Sequence, residues 1–245
     1  MFQYPQELNG HYGLTTMLPI TDTKLKLMQT ATELIWESNY DNVGIADICK
    51  KAGVTKGAFY HHFTSKADLF ASACAHEWEQ MRPLLDEGLS PRYTALQQVE
   101  NVIELTLRKQ QRKLGNDQKI CGCPFFTAGA QAGCDEVEIR AVARDMSDTS
   151  TLYLVALVKN LLAERYLTPP VNEQQIARML QQFIQGLLMH GRVYQDFDKL
   201  RQDLREGFYR LLGLDPKYRA VSETSSVVAP VPKKLDTSQL LTDLL

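Results

Sequence analysis

Between residues 21 and 213, apolar side chains recur at three- and four-residue spacings, the period of helices packed on one side. Leu27, Ala31, Leu34 and Ile35 form one such stripe behind a Thr21/Thr23 cap. Ile45, Ile48 and Ala52 form a second, with Asp47, Lys50 and Lys51 left outside. Ser65 is predicted to cap a long helix through Trp78 and Met81, with Pro83 as a bend and Gly88 as its stop. Further helices are predicted over 92–113, 123–132, 135–166, 172–194 and 198–212, with 114–120 and 167–171 as loops. The last two helices carry long stripes: Ile176, Leu180, Phe183, Ile184, Leu187 and Leu188, then Leu200, Leu204, Phe208, Leu211 and Leu212. Gly186 and Gly207 interrupt them at a cost of about 1 kcal/mol each against Ala, which predicts a close helix neighbour at both.

The ends look different. Residues 1–20, with Pro5, Gly10, Gly13 and Pro19, read as a flexible N-terminal extension in which Met17 is a second candidate start. Residues 214–245, with Pro216, Pro230, Pro232 and many Ser and Thr, read as a disordered tail ending in a marginal helix. Between them, a chain of 245 residues with 44% hydrophobic side chains can bury a sizeable core. The longest uncharged run, 120–134, is too short for a membrane span, so no membrane partner is expected. The first twenty residues lack Lys, Arg and an apolar run, so a cytoplasmic location is expected. Five Cys, an odd number, point to reduced thiols rather than a disulfide framework.

Net charge is only −2, so any basic surface must be local. It is: residues 48–66 contain Lys50, Lys51, Lys56 and Lys66 and no Asp or Glu. Gly44 stands at the N-cap of the 45–52 helix, a weaker cap than Ser or Thr. Gly53 falls one position past its end, where a left-handed backbone closes a helix without a Cβ clash. Val54 packs the corner, and Thr55 caps a second helix, 56–62, by accepting from the amide of Gly57 or Ala58. Two short helices joined by a three-residue glycine turn make a helix-turn-helix. Thr55, Lys56 and Gly57 are small or polar at the helix start and allow close approach to a phosphate. Tyr60 and His61, one turn on, reach phosphates flanking a major groove about 12 Å wide. Phe59 and Phe63 form the buried side. The competing reading makes Tyr60, His61 and His62 an ordinary polar helix face.

Residues 23–70, through LKLMQTATELIWESNYDN and IADICKKAGVTKGAFYHHFTSKADLF, resemble the tetracycline-repressor (TetR/AcrR) family of one-component bacterial transcription regulators. The resemblance implies an all-α fold: an N-terminal three-helix domain over 21–81, with the recognition motif at 44–63, and a C-terminal helical effector-binding and dimerisation domain over 82–213. It carries DNA contacts to Thr55, Lys56, Gly57, Tyr60, His61 and Lys66. Val43, Gly44 and Ala46 depart from the family pattern, which predicts a weaker grip on phosphate there. An effector cavity is implied near Trp78, Phe125, Phe126, Met146 and Tyr153, and a four-helix dimer interface from the last two helices, whose stripes would equally fill a monomer core. The function so implied is that of a homodimeric repressor of a palindromic double-stranded DNA operator, released by a small-molecule effector, with no enzymatic activity, cofactor or metal.

Cys121 and Cys123, in CGCP at a predicted helix start, are redox candidates, because unsatisfied amides there favour thiolate. A sensor of electrophiles or oxidants on the same scaffold is one reading, and inert packing is the other. C-x-C with a distant Cys134 lacks the C-x2-C pairing of zinc sites. A thiol-dependent helical enzyme is the alternative from another class. It leaves the basic helix unexplained, and His11, His76 and His190 have no sequence-local acid–base partner.

Overall fold

The computed structural model describes residues 21–110, 113–114, 117–133 and 136–218. They form α1 (Asp22–Glu37), α2 (Ile45–Ala52), α3 (Lys56–His62), α4 (Lys66–Gly88), α5 (Ala95–Gln110), α6 (Pro124–Gln131), α7 (Val137–Ala163), α8 (Glu173–Tyr194) and α9 (Phe197–Leu212). The fold is all-α. Among the described residues a two-residue ladder, Lys113–Leu114 against Asp117–Gln118, lies where a loop was expected, and a 3-10 turn covers Pro216–Tyr218. The extension at 1–20, Cys134 and the tail beyond Tyr218 lie outside the described residues.

The helices pack as two bodies. Of the described residues, one body comprises those up to Glu77 together with those within Pro124–Ala143; the other comprises those within Trp78–Cys123 and those from Arg144 to Tyr218. The domain division implied by the resemblance placed 124–143 with the second part, whereas here its described residues pack with the first. In the first body α1 packs on α2, α3 and α6. Leu27, Ile48, Ala52 and Phe59 are fully enclosed, and Phe63 and Phe70 nearly so. Phe125 of α6 lies against Phe70 with ring centroids 5.3 Å apart. A Cβ at Gly129 would overlap that of Ala143, so α6 and α7 cross here at a contact only glycine allows.

Capping fixes where these helices begin. Thr21 Oγ1 accepts from the Lys24 amide at 3.2 Å, and Ser65 Oγ from that of Asp68 at 3.0 Å. Gly44 has no side chain to offer, but Asp47 Oδ2 reaches back to accept from the Gly44 amide at 3.0 Å, which is half of a capping box. The start of α2 is therefore better held than glycine at its cap suggests.

In the second body the core is built by α5, α7, α8 and α9 around Val99, Ile103, Leu157, Leu161, Leu180, Leu204 and Phe208. The stripes of α8 and α9 face inward: Leu180, Ile184, Leu188, Leu200, Leu204, Phe208 and Leu212 are buried, with Ile176, Phe183, Leu187 and Leu211 packed against them. They fill the monomer core, one of the two roles left open by the pattern. Of the two interrupting glycines, only Gly207 meets a close neighbour, the Phe183 ring; around Gly186 the space is open. Glu100 is buried and compensated on both oxygens, by the Tyr209 hydroxyl at 2.8 Å and the Arg205 guanidinium at 2.5 Å.

The tail expected to begin at 214 does not begin there. Gly213 closes α9 at φ 68°, the Leu214 amide donates back to the Tyr209 carbonyl at 3.0 Å, and the Leu214 side chain enters the core. Tyr218 lies edge-on to Tyr166, with centroids 5.1 Å apart. The proline and serine content of 214–245 hid a helix-closing motif whose apolar residue follows the glycine.

Candidate nucleic-acid interface

Gly53 adopts φ 65°, and the amides of Gly53 and Val54 donate to the carbonyls of Lys50 and Cys49. Two residues later, Thr55 Oγ1 accepts from the Ala58 amide at 3.1 Å and opens α3. The turn is thus fixed at both ends by local chemistry. Phe59 points into the core and Phe63 seals the end of the helix, with ring centroids 5.7 Å apart.

With that side committed, the other side of α3 faces solvent. Thr55, Lys56, Gly57, Tyr60 and His61 are all exposed, Tyr60 by 59%. No acid pairs with Lys56 among the described residues, whereas Lys51 is taken up by Glu37 at 3.0 Å and Glu33 at 3.7 Å. Lys50 is exposed, and Lys24 lies 5.5 Å from the Phe63 ring centroid at the edge of the same surface. His61 and His62 rings meet edge-on at 4.9 Å. Burial, then the charges of His61 and Lys24, hold the His62 imidazole below its ordinary value.

Lys66 is placed differently from its companions. It is half-buried, its ammonium donates to the Tyr40 carbonyl at 3.0 Å, and it stands 4.0 Å from the centroid of the Tyr40 ring. Burial lowers its pKa, and the carboxylates of Asp41 and Glu136 oppose that shift. Tyr40, buried beside Phe70, is pushed up to about 12, first by burial and then by Glu136, Asp41 and Glu138.

The residues expected to line an effector cavity divide between the two bodies. Phe125 is buried and Phe126 half-buried in the first body. Trp78, Met146 and Tyr153 belong to the second. There Trp78 and Tyr153 meet edge-on at 5.8 Å, and the Tyr153 hydroxyl donates to Asp86 Oδ1 at 2.8 Å. Asp86 was not singled out in the sequence, since nothing local marks a surface carboxylate as the partner of a tyrosine 67 residues away.

Cys121 is buried, with its Sγ 3.5 Å from the Lys119 carbonyl, and Cys123 is half-buried just before α6. The strap between them is gripped by two side-chain amides. Gln195 holds the Ile120 amide and carbonyl at 2.9 Å each; Gln110 holds those of Gly122 at 2.9 and 3.5 Å. Gly122 sits at φ 71°. Among the described residues no group of three or more His, Cys, Asp or Glu is placed to hold a metal, and no helix is long and apolar enough to cross a membrane.

Comparison with known proteins agrees with this geometry. Residues 27–73 match the family model for bacterial regulatory proteins of the tetR family. The HTH-type transcriptional regulator UidR of Escherichia coli is 20% identical over 166 residues, covering 68% of this chain and 80% of that protein. The transposon Tn10 TetC protein of Escherichia coli is 50% identical over 52 residues, 21% of this chain and 26% of that one. Reduced Escherichia coli NemR has the same fold, with a TM-score of 0.65 over 78% of this chain and 98% of that one at 19% identity. The exposed α3 face and the glycine turn lie within the segment that matches this family model, and the chain is similar there to the helix-turn-helix of bacterial regulatory proteins of the tetR family.

Proposed function

We propose that the protein is a homodimeric repressor that reads a palindromic DNA site and is released by a small molecule. The observation that carries the DNA-reading part is the outer face of α3. Lys56, Tyr60 and His61 project from a helix whose opposite side is locked by Phe59, and no acid neutralises Lys56 among the described residues. Lys56 supplies charge to the phosphates, Tyr60 and His61 supply hydrogen bonds, and Thr55 and Gly57 keep the helix start slim enough to enter a major groove.

The dimer is read from a row the stripe pattern left unused. Met179, Gln182, Gly186, Met189 and Val193 recur at spacings of three and four along α8 and are all exposed, Val193 by 72%. Such a row, with open space at its central glycine, fits the same row of a second copy. Two copies so joined carry two recognition helices, which must meet major-groove faces about 34–36 Å apart. For the effector, Met146 and Tyr153 lie seven residues apart on one face of α7, and Trp78 stands against Tyr153.

Selection of duplexes from random-sequence DNA at low salt tests the reading. A recovered palindrome supports it, and no enrichment refutes it. A small molecule that releases the DNA must itself be bound less tightly by the DNA-bound protein, by the same factor. Equal affinity in both states removes the release mechanism.

A second reading keeps the scaffold and makes thiol modification the signal. Cys123 favours it, being half-buried directly ahead of α6 in a strap whose backbone is gripped from two sides. Alkylation of the thiols followed by DNA-binding measurements decides it: unchanged affinity retires the sensor.

A further inference from the structure

We propose that Lys66 is a positioning residue, which pins the α1–α2 turn to the start of α4 and so aims α2 and α3 at DNA, rather than one of the cations that neutralise phosphate. The inference rests on the DNA-binding reading above and alters the role of one residue within it.

Lys66 and Phe70 lie one turn apart on α4 and take hold of Tyr40 from two directions. Phe70 meets the Tyr40 ring edge-on at 5.1 Å, while the Lys66 ammonium lies 4.0 Å from the ring centroid and donates to the Tyr40 carbonyl at 3.0 Å. That carbonyl also accepts from the Val43 amide at 3.3 Å, and Asn39 Oδ1 accepts from the Asn42 amide at 2.9 Å. The turn is therefore wound around the acceptor that Lys66 holds. Val43 is buried, and the next residue, Gly44, caps α2. Through Gly53 the orientation of α2 passes to α3.

The contrast with Lys56 sharpens the assignment. Lys56 is exposed and without an acidic partner among the described residues, whereas Lys66 is half-buried with one of its three N–H groups given to the Tyr40 carbonyl. The Tyr40 carbonyl and the Tyr40 ring both hold the Lys66 ammonium at the start of α4. Asp41 and Glu136 further favour an ammonium that stays where it is.

The test compares K56M, K66M and K66Q on a duplex selected from random-sequence DNA, at a temperature where all remain helical. K56M should weaken binding and make the log–log salt slope shallower by about one. K66M should weaken binding about tenfold at every salt concentration with the wild-type slope, because a charged hydrogen bond within the protein is lost. K66Q removes the charge and keeps a donor for the Tyr40 carbonyl; it should retain both slope and most of the affinity, and it carries the test if K66M loses its helices. Amide hydrogen exchange should accelerate at Val43 in K66M, read on the protein alone. A salt slope shallower by about one in either Lys66 variant, or unchanged exchange at Val43, overturns the pin. Because the exchange is read without DNA, a wild type that binds no duplex refutes the DNA-binding reading while Val43 still decides the pin.

Discussion

Helices α3 and α8 both present an exposed face, and the two faces are chemical opposites. That of α3 is short, polar and cationic, set on a helix whose every boundary is fixed by a neighbour in sequence: Gly53 at the turn, Thr55 at the cap, Phe63 at the close. That of α8 is long and carries Met179, Met189 and Val193, backed by a core gathered from α5, α7 and α9. A solvated cationic face is the usual condition of a surface that meets polyanions, while a row of exposed aliphatic side chains at helical spacing calls for another protein surface. On the proposed function the difference separates reading from assembly, and it can be attacked from either side.

The largest effect is expected at α8. Replacing Met189 and Val193 together by Glu should halve the mass seen in sedimentation and lower the affinity for a palindromic duplex about a hundredfold or more, as two linked contacts become independent. Unchanged mass removes α8 from the interface. Next comes the core behind it. Gly207→Ala drives a Cβ into the Phe183 ring and should cost about 1–3 kcal/mol in denaturant unfolding. Gly186→Ala, with open space around it, should instead stabilise a monomeric background by up to about 1 kcal/mol. On the reader side, Thr55→Ala removes the cap of α3 and should cost about 1 kcal/mol, with DNA binding weakened in step.

The smallest effect is in the alkaline range. Tyr40 is held neutral to about 12 in the folded chain against 10.0 when unfolded, so the unfolded state loses this proton first as the pH rises. Its contribution is complete below pH 10 and is lost between pH 10 and 12. Unfolding curves at several pH values should show this decline in the wild type and a shallower one in Tyr40→Phe.

The reader was legible in the sequence because its determinants are local. Gly53, Thr55 and Phe59 lie within a few residues of what they control, and each sits as the spacing predicts, whereas Lys66 holds a carbonyl 26 residues away. The signal missed there, Asp47 returning to the Gly44 amide, was also local, an acid three residues after a cap. The second body was legible only as helices. Which helices receive the α8 stripe and that Tyr153 finds Asp86 depend on partners far apart in sequence, as does the meeting of Phe125 with Phe70 in the first body. Gly186 and Gly207 look identical in a helical pattern, and only the position of the Phe183 ring tells them apart.

Leu214 works as a stopper. Trimming the chain at the glycine that closes α9 would pull this plug and leave the end of the bundle unsealed, whereas a cut after Tyr218 spares both the plug and the tyrosine pair beside it. Fusion partners and affinity tags at this end therefore belong beyond Tyr218.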